Sequence, residues 1–191
     1  MERKAHWEAV YQDKDPAEVS WFQPRPETSL ALIEATGAGA DDAIVDVGGG
    51  ASTLVDHLLA AGHRNVSVLD IAEAALSTSR QRLGPQAQQA AWVCADATDF
   101  ALPHEVQVWH DRAVFHFLTD AADRAAYRDC LHRHLAADGQ AVVATFAPDG
   151  PEKCSGLPVM RYDPDSLATE LGLAVVESVA EHHVTPGGKT Q

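Results

Sequence analysis

Two kinds of apolar pattern alternate along the chain. Ala43-Ile44-Val45-Asp46-Val47, Val66-Ser67-Val68-Leu69-Asp70, Ala91-Trp92-Val93-Cys94-Ala95, Val106-Gln107-Val108-Trp109-His110 and Gln140 to Phe146 are short runs with the character of buried strands. Between them, apolar positions recur at the spacing of three and four that marks a helix face. Leu54, Val55, Leu58 and Leu59 follow Ser52, a natural cap, and roughly Glu73 to Leu83 forms the next helix. Tyr127, Leu131 and Leu135 stand behind Thr119 or Asp120, either of which can cap. Pro164 to Leu171 predicts a further helix, and Ala174 to Val184 a sixth strand. Ahead of the first strand, Trp7, Val10 and Tyr11 share a helix face, a loop carries Trp21 and Phe22, and Pro26 opens a second helix.

Strands alternating with helices over short connections predict an α/β fold: a Rossmann-like, doubly wound, mostly parallel sheet of six or seven strands with helices on both faces. The 191 residues suit one well-filled core rather than two. A single domain over 1–191 is expected, with a helical cap over 1–40 and the sheet over 41–191.

In such a sheet, ligands sit outside the carboxyl ends of the strands, near the point where strand order reverses. Gly48-Gly49-Gly50 follows the first strand, where glycine permits unusual backbone angles and close approach of a ligand. Asp70 ends the second strand, placed to accept both hydroxyl hydrogens of a ribose. A nicotinamide loop would read GxGxxG, but the third position here holds Thr53. The Tyr-xxx-Lys pair of many oxidoreductases is also absent, since Leu131 lies four residues past Tyr127. Asp46, two residues before Gly48, suits a ligand with a cationic amine rather than a pyrophosphate.

Charge narrows the partners. The formal charge is −14, from 28 acidic and 14 basic residues, and such a surface repels phosphate backbones and anionic lipid. Nucleic acid and membrane are therefore excluded as expected partners, and no stretch approaches the ~20 apolar residues of a membrane helix. Cys94, Cys130 and Cys154 form neither CxxC nor a disulfide framework, which fits a reducing cytoplasm. Cys94 and Cys130 are expected to be buried and inert, while Cys154 follows the fifth strand on the ligand side. The histidines His132 and His134, two apart on a helix, cannot easily share a metal, so no metal site is expected.

Asp46-Val-Gly48-Gly-Gly50-Ala-Ser52 resembles motif I, (D/E)xGxGxG, of the class I S-adenosylmethionine (SAM) dependent methyltransferases, with Ser52 in place of the last glycine. Asp70-Ile71 resembles that family's ribose-binding acid and its neighbour, and Asp96-Ala97 its adenine-recognising pair. Trp7, Tyr11 and Trp21-Phe22 are similar to an N-terminal aromatic segment that covers the cofactor in a bacterial subgroup. His110-Asp111-Arg112-Ala113-Val114-Phe115-His116-Phe117 resembles the fourth-strand segment of bacterial members.

The resemblance implies SAM as cofactor and S-adenosylhomocysteine (SAH) as product. It implies Asp46, Gly48 and Gly50 at the methionyl group, Asp70 and Ile71 at the ribose, and Asp96 and Ala97 at the adenine. Trp7, Tyr11 and Trp21 would shield the sulfonium, and Asp111 would face both the methyl group and the acceptor. His110 or His116 could take a proton from an acceptor that needs a base. The activity implied is methyl transfer to a small molecule, in preference to a protein side chain. The alternative is a non-catalytic module that holds SAM or SAH. The resemblance also implies a closing antiparallel hairpin, so Thr185 to Gln191 is expected to be the turn before a last strand that is missing, and the uncovered edge leaves the oligomeric state open.

Overall fold

A computed structural model of the chain describes residues 2–13 and 18–188. Two helices come first, α1 (Glu2–Asp13) and α2 (Glu27–Ala35). The core then runs β1 (Ile44–Val47), α3 (Leu54–Ala60), β2 (Val66–Asp70), α4 (Glu73–Leu83), β3 (Ala90–Cys94), β4 (Val106–Arg112), α5 (Ala121–His134) and β5 (Leu135–Ala144). A short antiparallel hairpin, β6 (Lys153–Cys154) and β7 (Leu157–Pro158), precedes α6 (Pro164–Leu171).

The sheet is parallel throughout, in the order β3-β2-β1-β4-β5. β1 and β2 are buried at every residue, as strands covered on both faces must be. Alternation along β1 divides the core. Val45 and Val47 join Trp109, Tyr127, Leu131 and Leu171 on the side of α5 and α6. Ile44 joins Val108, Ile33, Leu54, Leu58 and Leu76 on the side of α2, α3 and α4. Strand order reverses between β1 and β4, and the register pairs Val47 with both Leu69 and Asp111. The tips of β2, β1 and β4 therefore end level, around one crevice.

Local signals are honoured at several ends. Asp120 caps α5 by accepting the Ala122 N–H, and Asp163 caps α6 in a reciprocal box with Ser166. At α3 the helix begins one residue later than Ser52 suggests, although the Ser52 hydroxyl still accepts the Leu54 N–H at 3.1 Å.

Three expectations need correction. The main sheet has five strands, not six or seven. Residues 174–184 form no strand of it: Val176 is 84% and Val184 60% exposed. β-branched residues favour a strand only where a neighbouring strand supplies a hydrogen-bond ladder, and none pairs with the outer edge of β5 among the described residues. Cys94 is exposed, because β3 is an edge strand that only β2 flanks; Cys130 is buried as expected. No helix among the described residues is long and apolar enough to cross a membrane.

Candidate functional site

The glycine turn after β1 forms one wall of the crevice. Its Gly48 and Gly49 N–H groups donate to the Leu69 carbonyl at 2.7 and 3.1 Å, which ties the turn to the end of β2. Gly48 has φ +71°, and a Cβ there would collide with the Val114 side chain. At Gly50 an added Cβ would strike the Asp70 carboxyl group. Backbone and acid approach too closely here for any side chain. Gly50 is pinned from α4, where the Ser79 hydroxyl donates to its carbonyl at 2.6 Å.

Asp70 lies at the tip of β2 with 6% of its surface exposed, and lines the crevice. Its Oδ1 accepts the Ala72 N–H at 2.8 Å. Burial pushes the carboxyl pKa up to about 7, partly opposed by the Ala72 amide and helped by the nearby charges of Asp46 and Glu8. Asp96, just past β3, is more fully served: its Oδ1 accepts from the Thr98 N–H at 3.0 Å and hydroxyl at 2.8 Å.

The N-terminal segment forms the roof. Trp7 packs edge-on against Trp21, with ring centroids 5.8 Å apart, and against Phe117 at 5.0 Å. Tyr11 stands 6.3 Å from Trp21. Two polar clamps hold α1 down. The Glu8 carboxylate accepts the Glu73 and Ala74 N–H groups at 2.8 and 3.1 Å, satisfying free amides at the start of α4. Arg3 pairs with Asp96 and with Asp123 on α5. Floor and roof together enclose one crevice, open at its mouth.

Of the residues singled out in the sequence, Trp7, Tyr11, Trp21, Gly48, Asp70, Ile71, Asp96 and Ala97 all line this one crevice. Cys154, brought round by the β6–β7 hairpin, lines it too. Asp46 and Gly50 stand behind the wall, both buried. Asp46 Oδ1 accepts from His110, while its Oδ2 is buried with no hydrogen-bond partner among the described residues.

Asp111, expected to face the acceptor, does not line the crevice. It is fully buried and accepts the N–H groups of Val114 at 2.7 Å and Phe115 at 3.1 Å, together with the Tyr127 hydroxyl. Three donors occupy its oxygens, so it locks the turn after β4 rather than presenting a free carboxylate.

His110, offered as a base, is also set back. Its ring nitrogens bond Asp46 Oδ1 at 2.7 Å and the Ser29 hydroxyl at 2.9 Å. Ser29, His110 and Asp46 have the connectivity of a nucleophile relay, but they are 6%, 2% and 2% exposed beneath α2. No substrate reaches that hydroxyl, and the chain of bonds ties α2 to β1 and β4. His116 is likewise buried, stacked on Phe146, and no residue of the crevice wall. Burial drives its pKa down to about 4. Neither histidine lines the crevice.

Reading residue types at strand ends missed Arg3, Arg112, Val114 and Phe117, all of which line the crevice. For Arg112 a signal existed, since an arginine closing a buried strand is unusual in so acidic a chain. Strand β4 runs two residues past His110, and that extension puts Arg112 at the rim. Ala113, next in the wall, has φ +74°, a strained conformation held by the Asp111 bonds that follow it.

Residues 44–139 match the sequence pattern of the methyltransferase domain family, just over half of the chain, and the chain belongs to that family. No curated protein sequence matches it significantly. Solved structures agree on the fold. A protein from a study of the conversion of a disulfide bond into a thioacetal group during echinomycin biosynthesis has a TM-score of 0.69 at 21% identity, over 88% of this chain and 77% of that one. The glycopeptide N-methyltransferase MtfA with SAH gives a TM-score of 0.55 at 20% identity, covering 67% of this chain and 56% of MtfA. The sugar N-methyltransferase KedS8 from Streptoalloteichus sp ATCC 53650 gives 0.54 at 19%, covering 74% and 54%. The chain thus spans little more than half the length of several structures that it matches.

Proposed function

We propose that the chain binds SAM in this crevice and transfers the methyl group to a small nucleophilic acceptor. The observation that carries the reading is Asp70, a carboxyl group buried against Gly50 at the crevice wall, with only backbone amides of its own turn donating to it among the described residues. A ribose supplies the two hydroxyl donors that such a carboxylate lacks, and its binding favours the charged form. Asp46 adds a buried oxygen beside Gly49 that has no donor among the described residues, which sets negative potential where a methionyl ammonium would lie. Ile71 and Ala97 offer apolar surface to an adenine ring, with Asp96 at its amino edge. Trp7, Tyr11 and Trp21 present ring surface to a sulfonium, a favourable cation–π arrangement in a site shielded from water.

SAM supplies a methyl group on a good leaving group. The contribution of the chain is to hold the cofactor, exclude water and align the acceptor, effects that can carry most of such an acceleration. Of the residues lining the crevice, Tyr11 and Cys154 both have their proton held more tightly by burial, so neither is an activated base. An acceptor that is already nucleophilic fits best. MtfA and KedS8 bear the names of a glycopeptide and a sugar N-methyltransferase, which supports an amine on a small molecule as acceptor. The acidic surface and three free cysteines suit a cytoplasmic setting.

Calorimetric titration with SAM, SAH and NADH tests the cofactor reading. Binding of one SAM or SAH per chain with no response to NADH is expected; NADH binding alone, or no response to any of the three, overturns it. Transfer of a labelled methyl to a panel of small amines, thiols, phenols and acids then separates an enzyme from a module that only holds SAM.

A further inference from the structure

We propose that Arg112 is the anion anchor of the crevice and pairs with the α-carboxylate of the methionyl group, an inference that rests on the reading of the crevice as a SAM site.

Of the ten arginines eight are ion-paired, and of the other two, Arg112 and Arg133, Arg112 alone lines the crevice. Arg3, Arg25, Arg64, Arg80, Arg82, Arg124, Arg128 and Arg161 each have a carboxylate within 4.0 Å. Among the described residues Arg112 has none, although acids outnumber bases twofold in the sequence. Among the described residues its hydrogen bonds run from Nη1 and Nη2 to the Trp21 carbonyl alone, both at 3.1 Å. A guanidinium has five N–H donors, so three remain, in a planar fork suited to a carboxylate. Burial weakens its hold on the proton, and the charges of Asp46 and Glu181, neither within ion-pair distance, oppose this only in part.

Position selects the ligand atom. Register pairs Val47 with Asp111, so Gly48 and Arg112 are the next residues along adjacent parallel strands, and both line the crevice. Asp46 and Asp70 hold the negative side of this region, and Arg112 the positive one. That polarity is complementary to an amino-acid zwitterion, with its ammonium toward the acids and its carboxylate toward the arginine. The crevice's other arginine, Arg3, is already paired with Asp96 and Asp123 at the adenine end. The Trp21 carbonyl fixes the guanidinium in place, so forming the ion pair requires little reordering of the side chain.

The test compares ligands with and without the amino acid. Wild type, Arg112→Met and Arg112→Lys are titrated with SAH and with 5′-methylthioadenosine, which keeps the nucleoside and thioether only. Arg112→Met is expected to weaken SAH by about 10- to 100-fold, the scale of a lost charge-assisted hydrogen-bond pair, and to leave methylthioadenosine unchanged. Arg112→Lys is expected to recover part of the loss. Unchanged SAH affinity in Arg112→Met overturns the assignment and points to a carboxylate on the acceptor. Equal loss of both ligands also overturns it, leaving Arg112 as a brace for the Trp21 loop. Should Arg112→Met fail to fold, wild type is titrated with decarboxylated SAH; affinity equal to that for SAH refutes the anchor. If wild type binds neither SAH nor methylthioadenosine, the cofactor reading itself fails, a result distinct from loss in the variants alone.

Discussion

The tips of β2 and β4 lie level on either side of β1 and each carries a buried aspartate, yet the two have opposite uses. Asp70 is met only by backbone amides of its own turn, and no side chain donates to it among the described residues. Asp111 has drawn in Val114, Phe115 and the Tyr127 hydroxyl, and Trp109 donates in turn to that hydroxyl at 2.8 Å. Burial raises both pKa values, to about 7 at Asp70 and about 6 at Asp111. Strand-end position and residue type are therefore shared by a ligand site and a structural lock. What separates them is the number of donors that the protein itself brings to the carboxylate.

Removing each acid breaks this comparison in a different place. Asp111→Ala leaves two amides and a buried hydroxyl without an acceptor, and should cost about 3–5 kcal/mol of stability, read by urea unfolding. If that variant melted like wild type, bound SAM normally and failed only in turnover, Asp111 would be a catalytic residue after all. Asp70→Asn should not destabilise the ligand-free protein, because the amide replaces a carboxylate whose charged form burial disfavours. Its SAH affinity should fall by about 100-fold, as the ribose loses a charged acceptor. Comparable destabilisation of the two variants would erase the distinction.

Titration sharpens the same contrast. Only the ionised Asp70 accepts both ribose hydroxyl protons, so SAH affinity of the wild type should climb by up to about tenfold per pH unit toward pH 7 and level off above it. The Asp70→Asn variant should show no such climb. Stability without ligand should move the other way. The Asp70 pKa is higher folded than unfolded, so its contribution is full below about pH 4 and is lost as pH rises through about 7. The smallest expected effect lies in the roof. Glu8→Gln weakens the clamp on the start of α4 and should speed SAH dissociation by about threefold, near the exposed-site value of a charge at a helix N-terminus. A stopped-flow off-rate that does not change would show that the aromatic contacts and the Arg3 pairs hold α1 without Glu8.

Much of the fold was legible because it is locally encoded. Apolar runs with β-branched residues marked β1 and β2, the capping residues Asp120 and Asp163 marked α5 and α6, and three adjacent glycines marked the turn between β1 and α3. The aromatic positions of α1 were legible by their spacing, and they do form the roof of the crevice. Residues 174–184 misled for the converse reason: their composition favours a strand, but a strand is a relation between two segments.

The sequence by itself determined the order of elements and the residues that stand at the strand tips, because helix period, strand period, caps and glycine turns act over a few neighbours. Only the tertiary structure decided which tip residues are free. The donors that occupy Asp111 and His110 come from Tyr127 on α5 and Ser29 on α2, sixteen and eighty-one residues away. No local pattern records whether such a partner will arrive. The same holds for Arg112, left at the rim with the Trp21 carbonyl as its sole hydrogen-bond partner among the described residues.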